Sequence, residues 1–189
     1  MININSHWCN CQPRIKKAGI TLLVILNISV SYSQIRPSND RTRLLQREAD
    51  LMGQAFLKGD YKIFTSYVYP AIVSATGGQS RLETTLLNTT SKMRAQGMTF
   101  DKIVFDNPTK MVKSGNELQC TLQQHTTIKL SKGSVIATST LIAISKDGGK
   151  NWRFVDTSNK DVTTIRKVLT NLSTAIIIPP QQKPAFYSF

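Results

Sequence analysis

The sequence has few residues of the types that most often perform catalysis or bind metals. It contains two histidines and three cysteines, and only His125 and Cys120 lie beyond residue 33. A lone histidine excludes a multi-histidine metal centre within one copy of that segment. A lone thiol excludes an internal disulfide, so the domain must be stabilised by its core. We expect a buried apolar role for Cys120, no metal and no cofactor.

Common catalytic and phosphate-binding motifs are also absent. No Gly-x-Ser-x-Gly segment is present, which argues against a serine hydrolase of the nucleophile-elbow type. Gly77-Gly78 and Gly148-Gly149 lack the spacing and the lysine of a phosphate-binding loop. The sequence therefore indicates no specific catalytic reaction.

One long apolar run occurs, from Ala18 to Val30, and a basic segment that ends at Lys17 precedes it. The small residue Ser33 follows, and this order is typical of a secretory signal. We predict a signal peptide over residues 1–33, with cleavage near Ser33, and export to the periplasm or beyond. The run is shorter than the span of about 20 residues that crosses a bilayer, so we expect no stable membrane span in the mature chain.

Acidic residues are scarce: 11 Asp and Glu stand against 24 Lys and Arg, which gives a net charge of +13. The basic residues are scattered, without a run of five and without interleaved aromatic residues. This pattern indicates a solvated basic surface, and we expect no nucleic-acid partner.

The first half of the chain beyond residue 40 has helical periodicity. A helix is predicted over residues 41–58, ended by Gly59, and its inward face carries Leu45, Ala49, Met52 and Phe56. Shorter helices are predicted from Asp60 to Tyr67 and from Pro70 to Gly77. A fourth begins at a capping box formed by Ser80 and Glu83 and ends at Gly97.

From Thr99 the period changes to two, which predicts strands over residues 99–105, 110–113, 117–130, 134–145 and 152–155. A last helix is predicted over residues 161–170. Helices followed by a strand meander indicate the α+β class, with the helices on the concave face of a curved antiparallel sheet. We predict a linker over residues 34–40, one domain over residues 41–178 and a loose tail over residues 179–189.

The sharpest local signal is the hairpin of Ser145, Asp147, Gly148, Gly149 and Trp152. The two glycines tolerate positive φ, the aspartate can accept bonds from turn amides, and the tryptophan can pack back on the ribbon. The eight residues from Ser145 to Trp152 fit the Asp-box pattern of sialidase propellers. A propeller needs several blades, however, and the chain has one copy, so we assign the hairpin a structural role.

The chain resembles small exported bacterial proteins of the nuclear transport factor 2-like superfamily. The resemblance rests on the helix break Lys58-Gly59-Asp60-Tyr61, on Tyr69-Pro70, on Gly77-Gly78 and on the meander that ends in the hairpin. It implies a cone-shaped α+β barrel with a pocket between helices and sheet. Enzymes and binding modules both use that fold, so the fold alone does not choose between them.

Two functions from different classes follow. The favoured one is a non-enzymatic exported module that binds a small apolar or amphipathic ligand, or an envelope partner, in the cone pocket. Its candidate ligand-binding residues are Tyr61, Tyr67, Tyr69 and His125. The alternative is an isomerase-like or dehydratase-like enzyme with His125, Asp101 or Asp106 as the base and a tyrosine hydroxyl, that of Tyr67 or else of Tyr61 or Tyr69, as the oxyanion donor. A homodimer that pairs through the exposed sheet face is compatible with both.

Overall fold

The computed structural model describes residues 37–158, 160 and 162–188. The predicted signal peptide and its cleavage site lie outside the described residues. The helices are α1 Pro37–Lys58, α2 Tyr61–Tyr67, α3 Pro70–Ala75, α4 Gln79–Ala95 and α5 Val162–Val168. The strands are β1 Thr99–Phe105, β2 Val112–Ser114, β3 Glu117–Leu130, β4 Gly133–Ser145, β5 Arg153–Asp156 and β6 Ala185–Ser188. The predicted α+β class is confirmed.

The first helix is longer than its apolar periodicity predicts. It begins at Pro37, a residue suited to the first turn, so it includes part of the predicted linker over residues 34–40. It ends at Lys58, and Gly59 follows in a positive-φ conformation at +74°. Asp60 then caps α2 by accepting a hydrogen bond from the Ile63 N–H at 3.0 Å.

The predicted capping box at the start of α4 is wrong. The N-cap residue is Gly78, which has no side chain to accept a bond, and Ser80 already lies inside the helix. Glu83 instead accepts hydrogen bonds from Gln79 at 2.8 Å and from the Thr65 hydroxyl at 3.2 Å. The glutamate therefore ties α4 to α2 and does not close its own helix.

The described strands form one antiparallel sheet with the order β1-β3-β4-β5. Its centre is the long hairpin of β3 and β4, in register from Leu118↔Ser145 to Leu130↔Gly133. Both β1 and β2 pair with β3, while β5 and β6 pair with opposite ends of β4. The described sheet is open, because its outer strands do not pair with each other.

Apolar side chains cover both faces of the sheet. On the face of α1, the buried cluster comprises Leu45, Ala49, Met52, Cys120, Leu122, Leu141, Ala143, Trp152 and Phe154. On the face of α5, it comprises Ile142, Ile144, Val155, Ile165, Leu169, Leu172 and Ile176. Adjacent residues of β4 thus enter opposite clusters, so the end of this strand is covered on both sides.

Cys120 lies near the start of β3 and is fully buried in the α1-side cluster. Burial raises the pKa of its thiol to about 12, because the apolar surroundings disfavour the thiolate. This confirms the expected role as a small core residue.

The end of the chain differs from the predicted loose tail. Residues Ala185–Ser188 form β6 and pair antiparallel with Gly133–Ile136 of β4. All four β6 residues are exposed, so the strand is attached by its backbone and buries no side chain. Gly133 permits this attachment, because a Cβ at that position would collide with the carbonyl oxygen of Tyr187.

The hairpin between β4 and β5 is held by one carboxylate. Oδ1 of Asp147 accepts hydrogen bonds from the Ser145 hydroxyl at 2.8 Å and from the backbone N–H groups of Lys150 and Asn151 at 3.1 and 3.0 Å. Its Oδ2 accepts a bond from the Asn151 amide at 2.6 Å. These bonds, chiefly those from Asn151, lower the pKa of Asp147 well below its ordinary value of 3.8.

Replacing Asp147 with alanine should lower the free energy of unfolding by about 1 kcal/mol at neutral pH, as for other side chains that cap turn amides. The folded pKa is depressed, so this stabilisation is complete above the unfolded value of 3.8 and is lost as the pH falls below it. Urea denaturation of both proteins between pH 7 and pH 2 measures the difference. A difference that stays constant down to pH 2 would contradict the assignment.

Candidate functional site

A cavity lies between the helices and the sheet of the described domain; we call it the main cavity. Its volume is about 530 Å³, within the usual range for small-molecule sites. Its wall is mainly apolar and comprises Met52, Phe56, Phe64, Leu82, Leu86, Phe100, Ile103, Ile128, Leu141 and Phe154. The side chains of the domain therefore leave unfilled an apolar space large enough for a small molecule.

Aromatic rings stiffen the helical side of the main cavity. Phe56 of α1 makes edge-to-face contacts with Phe64 of α2 and Phe100 of β1, with centroid separations of 5.3 and 4.9 Å. Tyr61 packs against the same ring at 6.0 Å. Such pairs prefer this geometry, so three elements hold the wall in place before any ligand enters.

Gly53 brings α1 close to the sheet. A Cβ at this position would lie 3.2 Å from Ile103 and 3.1 Å from Phe105, both on β1. The absence of a side chain allows the helix to approach this edge of the sheet. It also leaves room beside Met52 and Phe56, which flank the glycine and line the cavity.

The sheet forms the floor of the main cavity through alternate residues of its two long strands. Gln124, Thr126 and Ile128 of β3 face the cavity, with Ala137 and Ser139 of β4 beside them. The amide of Gln124 donates a hydrogen bond to the Thr126 hydroxyl at 3.2 Å. The polar side chains of the floor, Gln124, Thr126 and Ser139, thus lie beside the middle of β4.

The outer edge of β4 is uncovered at this point. β5 pairs with residues Leu141 to Ile144, and β6 pairs with residues Gly133 to Ile136. Between them lie residues 137–140, which we call the edge gap. Thr157 closes one end of it, because its N–H and hydroxyl both donate to the Thr140 carbonyl, at 3.1 and 2.8 Å.

A second cavity of about 350 Å³ lies on the other side of the edge gap, under the segment that contains Pro179 and Pro180. Five residues line both cavities: Thr138, Ser139, Ser158, Lys160 and Gln181. The edge gap is therefore where the main cavity reaches polar groups and solvent-exposed chain.

The three tyrosines predicted to bind a ligand do not line the main cavity. The hydroxyl of Tyr61 lies 2.6 Å from the Thr90 hydroxyl, and that of Tyr69 donates to the buried carboxylate of Glu117 at 3.1 Å. Tyr67 packs against the α1-side core, and burial raises the pKa of its phenol. The tyrosines therefore bond or pack within the protein.

The predicted bases do not line the main cavity either. His125 belongs to the other face of β3, where its Nδ1 lies 2.9 Å from the Thr138 hydroxyl and its Nε2 lies 3.1 Å from Asp106. Asp101 forms an ion pair with Lys129 at 2.6 Å. The structure does not bring His125, Asp101 and Tyr67 together in this cavity.

Sequence reasoning missed the phenylalanines that form the cavity wall. Phe56 was placed on the core face of α1, while Phe64 and Phe100 carried no prediction. A signal was present, because Phe56 and Phe64 flank the helix break at Gly59 and Asp60 and must therefore lie near the same corner. The sequence prediction instead favoured the tyrosines, because their hydroxyl groups can bind a ligand.

No protein-family description matches the sequence, and no curated protein matches it significantly. Within residues 37–158, 160 and 162–188, no group of three His, Cys, Asp or Glu residues is placed to bind a metal ion. In the same part of the chain, no helix has the length and apolarity that a membrane crossing requires.

Proposed function

We propose that this protein is an exported, non-enzymatic module of the nuclear transport factor 2-like superfamily that binds a small apolar or amphipathic ligand. The observation that carries the proposal is the main cavity of about 530 Å³, whose wall is mainly apolar and whose space the described side chains do not fill. An unfilled apolar space of this size loses packing energy, which a ligand with a matching apolar surface recovers.

The order of elements supports the superfamily assignment, because four helices precede a sheet built around one long hairpin in the described chain. The main cavity lies where the cone pocket of that fold is expected, between helices and sheet. The apolar run after a basic segment supports export. Pairing of two copies through the sheet stays a prediction.

The contents of the main cavity favour binding over catalysis. General acid–base catalysis needs a titratable side chain within hydrogen-bond reach of the substrate. The charged residues of the lining are Lys160 and Asp156 beside the edge gap, and β5, which carries Asp156, lies at the opposite edge of the sheet from β1, which carries Phe100 of the phenylalanine wall (Phe56, Phe64 and Phe100). The apolar end of a ligand would therefore meet no base.

Filling the main cavity should abolish binding. We expect the neutral fluorophore N-phenyl-1-naphthylamine to bind the wild-type protein saturably, with increased fluorescence. Ala137→Phe places a ring in the cavity floor and should weaken this binding at least about tenfold, which corresponds to about 1.4 kcal/mol. Fluorescence titration measures both dissociation constants.

The matched control is Thr127→Phe, which adds a similar ring to the same pair of strands on the face away from the main cavity. It should change the dissociation constant by no more than about twofold. Thermal melting must show both variants folded. The absence of saturable binding to wild type, or equal loss in the two variants, would count against the proposal and leave an envelope partner as the ligand to test.

A further inference from the structure

The backbone N–H and C=O of Thr138 face the edge gap beside the main cavity. In the register of β3 and β4, the N–H and C=O of Ala137 and Ser139 point towards β3, and those of Thr138 point towards the gap. The bond from Thr157 to the Thr140 carbonyl fixes this alternation. Among residues 37–158, 160 and 162–188, neither backbone group of Thr138 has a hydrogen-bond partner.

The side chain of Lys160 lies at the same place. Lys160 lines both cavities, is exposed and forms no ion pair with any residue of the described ranges. The acidic residue of the lining is Asp156, but its Oδ1 already accepts hydrogen bonds from the N–H and the hydroxyl of Ser158, at 2.8 and 2.7 Å. Oδ1 of Asp156 is thus engaged within the protein, whereas no residue of the described ranges pairs with the ammonium group of Lys160.

From this arrangement we infer that the ligand is a single-chain amphiphile with an anionic headgroup. Its apolar chain occupies the main cavity between Phe56 and Ile128, and its headgroup lies in the edge gap. There Lys160 supplies the positive charge, and the Thr138 N–H supplies a directed donor. This inference rests on the proposed function, because it names the class of ligand for the same cavity.

The separation of polar and apolar groups supports this class. The phenylalanine wall contains no group that can pair with a charge, so an anion placed there would be desolvated without compensation. At the edge gap the same anion keeps contact with solvent and gains a charge-assisted hydrogen bond. A ligand with one charged end and one apolar end satisfies both regions, and a compact anion satisfies only one.

Three probes with the same alkyl chain separate headgroup recognition from cavity filling: dodecanoate, dodecanol and dodecylamine. Each is titrated against the purified full chain preloaded with N-phenyl-1-naphthylamine, and displacement of the fluorophore gives the dissociation constant. We expect dodecanoate to bind about tenfold more tightly than dodecanol, because a hydrogen bond to a charged group is stronger than one to a neutral group. Added salt should reduce the preference.

The substitution Lys160→Ala should remove the preference for dodecanoate and leave the affinity for dodecanol within about twofold of wild type. The matched control is Lys132→Ala, which removes an exposed lysine outside both cavities and should change neither affinity. Because both lysines are exposed, thermal melting should show both variants as stable as wild type.

The outcomes distinguish the two proposals. Equal affinity of the wild-type protein for dodecanoate and dodecanol would overturn the anionic headgroup and leave the binding cavity standing. Tighter binding of dodecylamine would also overturn it, because Asp156 would then be the group recognised. Failure of all three probes and of the fluorophore to bind would overturn the binding function itself.

Discussion

Replacing Trp152 with alanine should lower the free energy of unfolding by roughly 3 to 5 kcal/mol, the usual cost of removing a large buried aromatic side chain. Trp152 has no exposed surface and lies in the α1-side cluster. Its indole N–H also donates to the Gly149 carbonyl at 3.2 Å, so the ring connects the hairpin turn to the core. The substitution removes both interactions at once.

Urea denaturation followed by circular dichroism measures this effect. For a domain of this size, the expected loss corresponds to a fall in melting temperature of about 6 to 20 °C. The matched control is Phe186→Ala in β6, whose side chain is 59% exposed and should contribute within about 0.5 kcal/mol. An unchanged denaturation midpoint for Trp152→Ala would contradict the placement of the indole.

A second large effect is expected at the contact between α1 and the sheet. Leu45 is fully buried and packs in the cluster that contains Leu122 and Leu141 of the two central strands. Leu45→Ala should lower the free energy of unfolding by roughly 2 to 5 kcal/mol, because the change removes apolar contacts and leaves a cavity. The same urea titration measures the loss.

Leu51→Ala provides the matched control on the same helix, because Leu51 is 37% exposed. It makes the same chemical change at a site that is more than a third exposed, and alanine has at least the helix propensity of leucine, so its cost should stay below about 1.5 kcal/mol and clearly below that at Leu45. Equal costs at the two positions would show that α1 does not present Leu45 to the sheet. The contrast tests the orientation of the helix that forms the roof of the main cavity.

The helices and the long strands could be predicted because their signals are local. Apolar residues from Leu45 to Met52 repeat with helical spacing, and those from Leu118 to Leu122 alternate. The predicted capping box at Ser80 is wrong because the start of α4 depends on contacts that are not local. The neighbouring Gly78 starts α4 by its backbone conformation, and tertiary contacts recruit Glu83 to Thr65. A short motif is ambiguous when its partners lie elsewhere in the chain.

The candidate site was harder to predict because a cavity is a property of packing. Phe56 and Phe100 are far apart in the sequence, and the space beside them exists only after α1 meets β1 at Gly53. Likewise, no side-chain pattern predicts β6, because its exposed residues pair through the backbone alone. The hydroxyl groups of the tyrosines suggest ligand contacts in the sequence, but the fold uses two of those hydroxyls for bonds to Thr90 and Glu117.

Because the thiol of Cys120 is fully buried, the rate of its chemical labelling measures how readily the surrounding core opens. In the folded domain the thiol is buried and its pKa is raised, so the thiolate that would attack an alkylating reagent is neither formed nor exposed. Modification therefore requires β3 to separate from β4 or α1 to leave the sheet. At high reagent concentration, the labelling rate at Cys120 reports how often this core opens, and at low concentration it reports the fraction of molecules that are open.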